Sequence, residues 1–467
     1  MRNNILRFLR FLLFLFFLAA CSAKIPQNSE LTQNIPQRFN NMDLISIKQE
    51  SALKDSTPQE QIKRLFNDST LNSLFDIALE KNLDVQITST RILQARAQLK
   101  SAWGDLFPKI NGSLNANESH TRANSKEITT NSTQASATLS WEVDLFGKLQ
   151  HAKNAKLSLY QKSLQDLENV RITLLVEVAD AYFNLLEIHK NLALTNLNIG
   201  HYKDALEFTR LKVENGLLDS TELFEKQDLL TDEQNIKEQL QISLEEYKNA
   251  LLILLDSTTL PFSLQNQQMP QIVESLSLNA LPADVLLTRP DIKASLFSLY
   301  AQIYNKANAK ASLFPILSIS ANISDILDSN TQNAGNLVWQ FAASLSAPLL
   351  NRTQLTQNYF LQDALLSESY LTLEKSLKAA FFEIENASFS LKSTQLQLQN
   401  NLKRLNNAES YYEFSYNRHS IGLIDSLDHA LNSASLNNAK KSFNTTKGQN
   451  LKALSLLYKT LGGNLNL

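Results

Sequence analysis

Apolar and polar positions change period twice along this chain, and in the same way each time. Ala135, Ala137, Leu139, Trp141 and Val143 alternate with Ser136, Thr138, Ser140 and Glu142. Leu317, Ile319, Ala321 and Ile323 alternate with Ser318, Ser320 and Asn322; Leu337, Trp339, Phe341, Ala343 and Leu345 repeat the pattern. A period of two over roughly ten residues predicts strands with one apolar and one polar face. A weaker strand is expected near Ile110 to Asn117. Polar loops over 118–132 and 324–336 then complete two hairpins, about 109–143 and 316–347.

Elsewhere the spacing is helical. No proline lies between Pro108 and Pro261 or after Pro348, and no glycine between Gly216 and Gly335 or between Gly335 and Gly422. Both residues oppose helix interiors, glycine by roughly 1 kcal/mol and proline by roughly 3. These stretches therefore predict very long helices, paired as hairpins over about 150–256 and 354–461. Residues 150–214 would reach roughly 95 Å. Leu223, Gln227, Leu230, Ile236, Leu240, Leu244, Tyr247, Leu251 and Leu254 form the stripe expected to pack. The breaks fall at Glu214-Asn215-Gly216 and at Gly422, where glycine ends a helix in the left-handed conformation.

The two halves are copies. Asn215-Gly216-Leu217-Leu218-Asp219-Ser220 returns as Ile421-Gly422-Leu423-Ile424-Asp425-Ser426, about 206 residues on. Leu106-Phe107-Pro108 returns as Leu313-Phe314-Pro315 at nearly the same offset. The expected layout is a leader over 1–20, an extended tail over 21–69, a first repeat over 70–260, a linker over 261–282 and a second repeat over 283–463.

Arg2, Arg7 and Arg10 precede an apolar run from Phe11 to Leu18 that is too short to cross a bilayer as a helix. Leu18-Ala19-Ala20-Cys21 resembles a bacterial lipobox, with Cys21 lipidated and heading the mature chain. An ordinary cleaved signal peptide with an incidental cysteine is the alternative. Ser22 in the next position resembles lipoproteins released to the outer membrane. Cys21 is the only cysteine, so an intramolecular disulfide is excluded. Lys+Arg 44 against Asp+Glu 46 gives no electrostatic case for nucleic acid. With no later apolar run of helical spanning length, any membrane entry is by strands. Four strands cannot close a barrel, which needs at least about eight. A membrane reading therefore requires pooling with other copies, the alternative being a soluble sheet packed on helices. The six histidines show no metal-ligand spacing, and no phosphate loop or nucleophile motif is present.

Several motifs then resemble the TolC-like outer membrane factors, in particular their lipoprotein efflux branch. Leu281-Pro282-Ala283-Asp284-Val285-Leu286-Leu287-Thr288-Arg289-Pro290-Asp291-Ile292 looks like that branch's motif opening the second repeat. Trp141-Glu142-Val143-Asp144-Leu145-Phe146-Gly147-Lys148 looks like its strand-to-helix junction, and the resemblance covers residues 70–463. It implies a mainly α protein with a membrane β-barrel portion. Three chains would form one barrel of twelve strands above a tunnel of twelve helices in the periplasm. It implies no catalysis and no cofactor beyond the covalent lipid on Cys21.

The implied function is a passive exit duct fed by an inner-membrane efflux pump through a periplasmic adaptor, or membrane fusion, protein. Type I protein secretion and a non-channel periplasmic scaffold are the alternatives; the lipobox and Arg289-Pro290-Asp291 favour efflux. The resemblance puts Lys212, Gly216 and Leu217 in one adaptor-docking tip and Arg418, Gly422 and Leu423 in the other. It puts Asp428 at the periplasmic aperture, with Asp219, Glu222 and Asp425 as further acidic candidates. Asp219 and Asp425 read equally well as N-caps.

Overall fold

The computed structural model describes residues 57–123, 126–270, 282–328 and 336–464, together with Ile25, Pro26, Pro36 and Phe39. The leader, Cys21, most of the tail and residues 271–281 of the linker lie outside the described residues. In chain order the elements are α1 Pro58–Phe66, α2 Ser69–Lys81, α3 Leu83–Gly104, β1 Lys109–Ala123, β2 Lys126–Val143, α4 Lys148–Glu214 and α5 Thr221–Leu254. Then come α6 Pro282–Thr288, α7 Pro290–Ala311, β3 Ile316–Asp328, β4 Asn336–Ser346, α8 Arg352–Ser420 and α9 Ser426–Thr460. The long helices α4 and α8, of 67 and 69 residues, are each followed by a return helix, as the glycine and proline spacing predicts. The chain divides into two compact units, one taking in residues 90–165 and 293–376, the other 34–89, 166–292 and 377–467.

The first unit carries one antiparallel sheet in the order β1-β2-β3-β4. Register decides its faces, because residues paired directly across a ladder point the same way. Ile110 pairs with Leu139, Leu139 with Ala321 and Ala321 with Phe341, an apolar row across all four strands. The next row, Asn111, Thr138, Asn322 and Gln340, is polar throughout. On that polar face Asn322 Nδ2 donates to Thr138 Oγ1 at 2.8 Å, and Ser113 and Ser136 hydroxyls meet at 2.8 Å. Ile110, Leu114, Trp339 and Phe341 are exposed at 73, 74, 78 and 66 %. Nothing in the described chain covers the apolar face at these positions.

The strands run further than the apolar pattern predicts. Residues 118–132, expected as a loop, are mostly paired, with β1 reaching Ala123 and β2 starting at Lys126. Likewise β3 continues to Asp328. Backbone ladders need no apolar side chains, so a hairpin polar on both faces leaves no period-two signal.

The sheet meets its helices through the repeated motifs. At each Leu-Phe-Pro a helix ends in the same turn, Phe107 N donating to Gly104 O and Phe314 N to Ala311 O, both at 3.1 Å. Proline then opens the strand, where its missing N–H is harmless. Asp144 accepts from the free N–H groups of Leu149 and Gln150 at 3.1 and 2.7 Å and so caps α4. Phe146 stacks on Phe314 at 4.9 Å, and Lys148 pairs with Glu142 at 3.0 Å. Gly147 takes φ +75, which a Cβ would strain.

The second unit holds the larger core, in which Tyr182, Phe183, Leu185 and Leu186 of α4 are fully buried, as are Leu454, Leu457 and Tyr458 of α9. The helix Pro58–Phe66 corrects the reading of residues 21–69 as an extended tail throughout. Thr57 and Glu60 form a capping box, and Ile62, Leu65 and Phe66 turn one face into the core. Phe66 meets Phe183 edge-on at 4.9 Å, and Tyr458 Oη donates to Pro58 O at 2.7 Å. The α5 stripe is covered only in part within one chain. Of its nine residues only Leu230 and Leu251 are buried in the chain, while Ile236 is 43 % exposed. Lys226 and Glu233, polar in the sequence, are buried instead through ion pairs, Glu233 with Lys441 at 2.6 Å.

Candidate functional site

Two turns of identical geometry link the long helices, both within the second unit. Leu217 N donates to Lys212 O and Gly216 N to Val213 O, at 2.8 and 2.9 Å. Leu423 N donates to Arg418 O and Gly422 N to His419 O at the same two distances. This is the Schellman arrangement, and it requires a left-handed residue at the glycine. Gly216 and Gly422 have φ +71 and +75, with open space where a Cβ would stand. Substitution there strains the backbone without a clash.

The turn following each glycine exposes apolar side chains. Leu217, Ile421 and Leu423 are 71, 71 and 61 % exposed, while Leu218 packs inward against Ala205, Leu427 and Ala430. Arg418 lies 5.8 Å from the Phe414 ring centre. The two turns are tied together, since Lys212 at the end of α4 forms an ion pair with Asp425 at the start of α9.

Asp425 is the N-cap of α9, accepting from Asp428 N at 2.9 Å. Partial burial works against its charge. The Asp428 N–H and the Lys212 ammonium outweigh that and hold its carboxyl below the usual range. Asp219 accepts from Thr221 N at 2.8 Å, but the N-cap of α5 is Ser220, which makes no side-chain cap bond. Glu222 is engaged by Lys226 at 3.3 Å. Asp428 is exposed, with no ion-pair partner among the described residues. The structure thus brings Lys212, Asp425 and Asp428 into one cluster. Asp219 and Glu222 sit at the start of the other return helix.

Arg289 does work that its motif did not disclose. Nε and Nη2 hold both Asp291 oxygens at 3.0 and 2.7 Å, and Nη2 also reaches Glu383 at 2.9 Å. Nη1 donates to Thr460 O at 2.8 Å and to Ala380 O at 3.5 Å. One buried guanidinium therefore fastens the start of α7 to the middle of α8 and the end of α9. Burial acts against its charge, and the two carboxylates hold its pKa above the ordinary value nonetheless. The adjacent Pro290 and Asp291 carry the readable signal, a helix start with an acidic first turn. The polar seam of Asn198, Glu233, Asn438 and Lys441 left no such signal, because its members lie far apart in sequence.

A four-stranded hairpin sheet and two long helical hairpins, each turning at a glycine tip, are the chain fold of the TolC-like outer membrane channels. The chain belongs to the outer membrane efflux protein family, whose model matches residues 74–255 and 281–463. It is 26 % identical over 420 residues to the solvent efflux pump outer membrane protein SrpC of Pseudomonas putida, covering 87 % of this chain and 88 % of that one. It is 24 % identical over 422 residues to the pyoverdine export outer membrane protein OpmQ of Pseudomonas putida, covering 87 and 88 %. Among solved structures, the open-state MtrE outer membrane channel of Neisseria gonorrhoeae has the same fold, with TM-score 0.80, 22 % identity and 95 and 99 % covered. The CmeC outer membrane channel of Campylobacter jejuni gives TM-score 0.79, 24 % identity and 95 % of both chains. Transport across the outer membrane, not catalysis, is this family's business.

Proposed function

We propose that three copies of this chain close one twelve-stranded barrel in the outer membrane and form the exit duct of a tripartite efflux system. An inner-membrane pump supplies the energy, and a periplasmic adaptor couples it to the tips. The sheet carries this reading. On one face the rows Ile110–Leu139–Ala321–Phe341 and Gly112–Ala137–Ile323–Trp339 are apolar across all four strands, Asp325 being the polar member of the row after them. Among the described residues, the outer strands β1 and β4 are each paired along one edge only. In lipid, unpaired edges are untenable, and pairing β1 of one copy with β4 of the next removes them. The apolar face then meets lipid and the Asn, Ser, Thr and Gln rows line the lumen. A periplasmic scaffold gives that face no role. The uncovered α5 stripe would be buried between copies by the same closure.

The tips are proposed as the adaptor-docking end, with Lys212, Gly216, Leu217, Arg418, Gly422 and Leu423 as its residues. Gly422→Val forces a β-branched residue into the left-handed region, which costs about 1–2 kcal/mol locally. Drug susceptibility should rise to that of a strain lacking the protein while trimer stays in the outer membrane. Unchanged susceptibility would remove docking from this turn.

Asp428 is proposed to ring the periplasmic aperture, with Asp219, Glu222 and Asp425 contributing charge and the Lys212–Asp425 pair holding the tips closed. Like charges about one axis attract cations and divalent blockers. In planar bilayers, Asp428→Asn should lower cation over anion permeability and weaken divalent block. Selectivity and block that survive in the Asp428→Asn, Glu222→Gln double variant would end the acidic-ring idea.

Cys21 is proposed as the lipid anchor, leaving the chain without a free thiol. One acyl chain binds membranes only marginally, so lipid and barrel would retain the protein together. Cys21→Ala should still trimerise but be poorly retained or slow to assemble. An unmodified mature N-terminus by mass spectrometry would contradict this.

A further inference from the structure

Between the end of α8 and the start of α9 lies a ring cluster that the duct reading leaves unused. His419 and His429 stack at 4.5 Å between centroids, with planes 13° apart. Tyr412 and Tyr416 close over His429 at 5.9 Å each. Tyr412, Tyr416 and His419 recur at four and then three residues, so one face of α8 holds a single histidine of α9. The Nδ1 of His429 is buried with no hydrogen-bond partner, and His419 Nε2 reaches only the Ser426 hydroxyl, at 3.4 Å.

We propose that this stacked pair is an acid-operated release, in which protonating His419 and His429 loosens the join of α8 and α9 at the second tip. Neutral imidazoles stack favourably, as aromatic rings do. Two imidazolium rings at this separation repel, and protonation of a buried Nδ1 creates an N–H with nothing to receive it. Among the described residues, the groups set against His429 are Tyr412, Tyr416 and His419 of α8 and, from α4, His201, none of them an anion. Asp204 acts on His201 rather than on His429. Asp425 touches the same turn, accepting from His429 N at 3.1 Å through its backbone oxygen, while its carboxylate is committed to Lys212.

Burial, then His419 and His201, lower the His429 pKa below 6.5. The sign follows: the unfolded or opened tip binds a proton that the closed tip refuses. The stability that neutral His429 contributes to the tip is therefore fully present above about pH 6.5 and is lost as pH falls through its lowered native pKa. Chelation of a metal by the pair is a poorer reading, because ring lone pairs lie in the ring planes and nearly parallel stacked planes do not converge on one ion. Acid opening of a duct follows only if the tips are its periplasmic end. Loosening of the hairpin does not depend on that.

The experiment is hydrogen exchange on the full-length protein in detergent at pH 7.5 and pH 5.5, with intrinsic chemical rates divided out. Residues 412–432 should open more readily in acid, by up to about tenfold per pH unit for one coupled proton. His429→Gln should abolish that acid response. Should His429→Gln melt below the parent at pH 7.5, His419→Gln, on the more open helix end, takes its place. Flat protection in the parent, or an acid response that persists in both variants, overturns the proposal. So does protection of these amides by added Zn2+ at pH 7.5, which would make the pair a metal site.

Discussion

Phe341→Arg should remove assembled protein from the outer membrane. Phe341 lies in β4 on the apolar face, in the row shared by Ile110, Leu139 and Ala321, and is 66 % exposed. An arginine facing lipid near the bilayer midplane costs about 2–4 kcal/mol. Three copies repeat the penalty in every assembly, so the trimer loses roughly 6–12 kcal/mol. Gln340, its neighbour in the polar row, is the internal control. Gln340→Arg faces the lumen in the proposed barrel and should leave trimer level unchanged. Heat-resistant trimer in outer-membrane fractions reads both variants, and equal loss in the two would contradict the assignment of faces.

Arg289→Met should be the most damaging change outside the sheet. Removing the guanidinium leaves Asp291 and Glu383 without their shared cation and the carbonyls of Thr460 and Ala380 without their donor. Arg289 is buried, but Asp291 and Glu383 are 38 and 54 % exposed, so water takes up much of the loss at the carboxylates. The cost, about 1–3 kcal/mol, comes mainly from the buried Thr460 carbonyl left without its donor. Arg289→Lys should recover little, since an ammonium cannot match the fork that grips both Asp291 oxygens. Denaturant unfolding should show this loss, and a Met variant within about 1 kcal/mol of the parent would show the clasp to be incidental.

How much of this was legible in the sequence depended on whether the signal was local. The tips were readable because Gly216 opens and Gly422 closes long glycine-free runs and their flanking residues repeat about 206 residues apart, and only glycine takes φ +71 or +75 without strain. The strand cores were readable because one face is apolar. Their polar extensions were not, since His120 bonded to Thr129 at 2.9 Å stabilises a hairpin without marking a period. The α5 stripe from Leu223 to Leu254 recorded a demand for burial, which one chain leaves largely unmet. Thr57-Pro58 with Glu60 did encode α1, but the surrounding polar stretch hid so short a helix. Acidic residues past each tip were equivalent in sequence and unequal in space. Asp425 caps its helix and binds Lys212, whereas Asp219 caps no helix. The His419–His429 stack spans a turn, and neither residue carries a motif.

Single-channel recording of the purified full-length protein in planar bilayers tests the central claim most directly. A trimeric duct predicts discrete conductance steps that Asp428→Asn alters and that vanish with Phe341→Arg. A correctly folded, membrane-bound protein that passes no current, even after Lys212→Gln breaks the ion pair to Asp425, would contradict it.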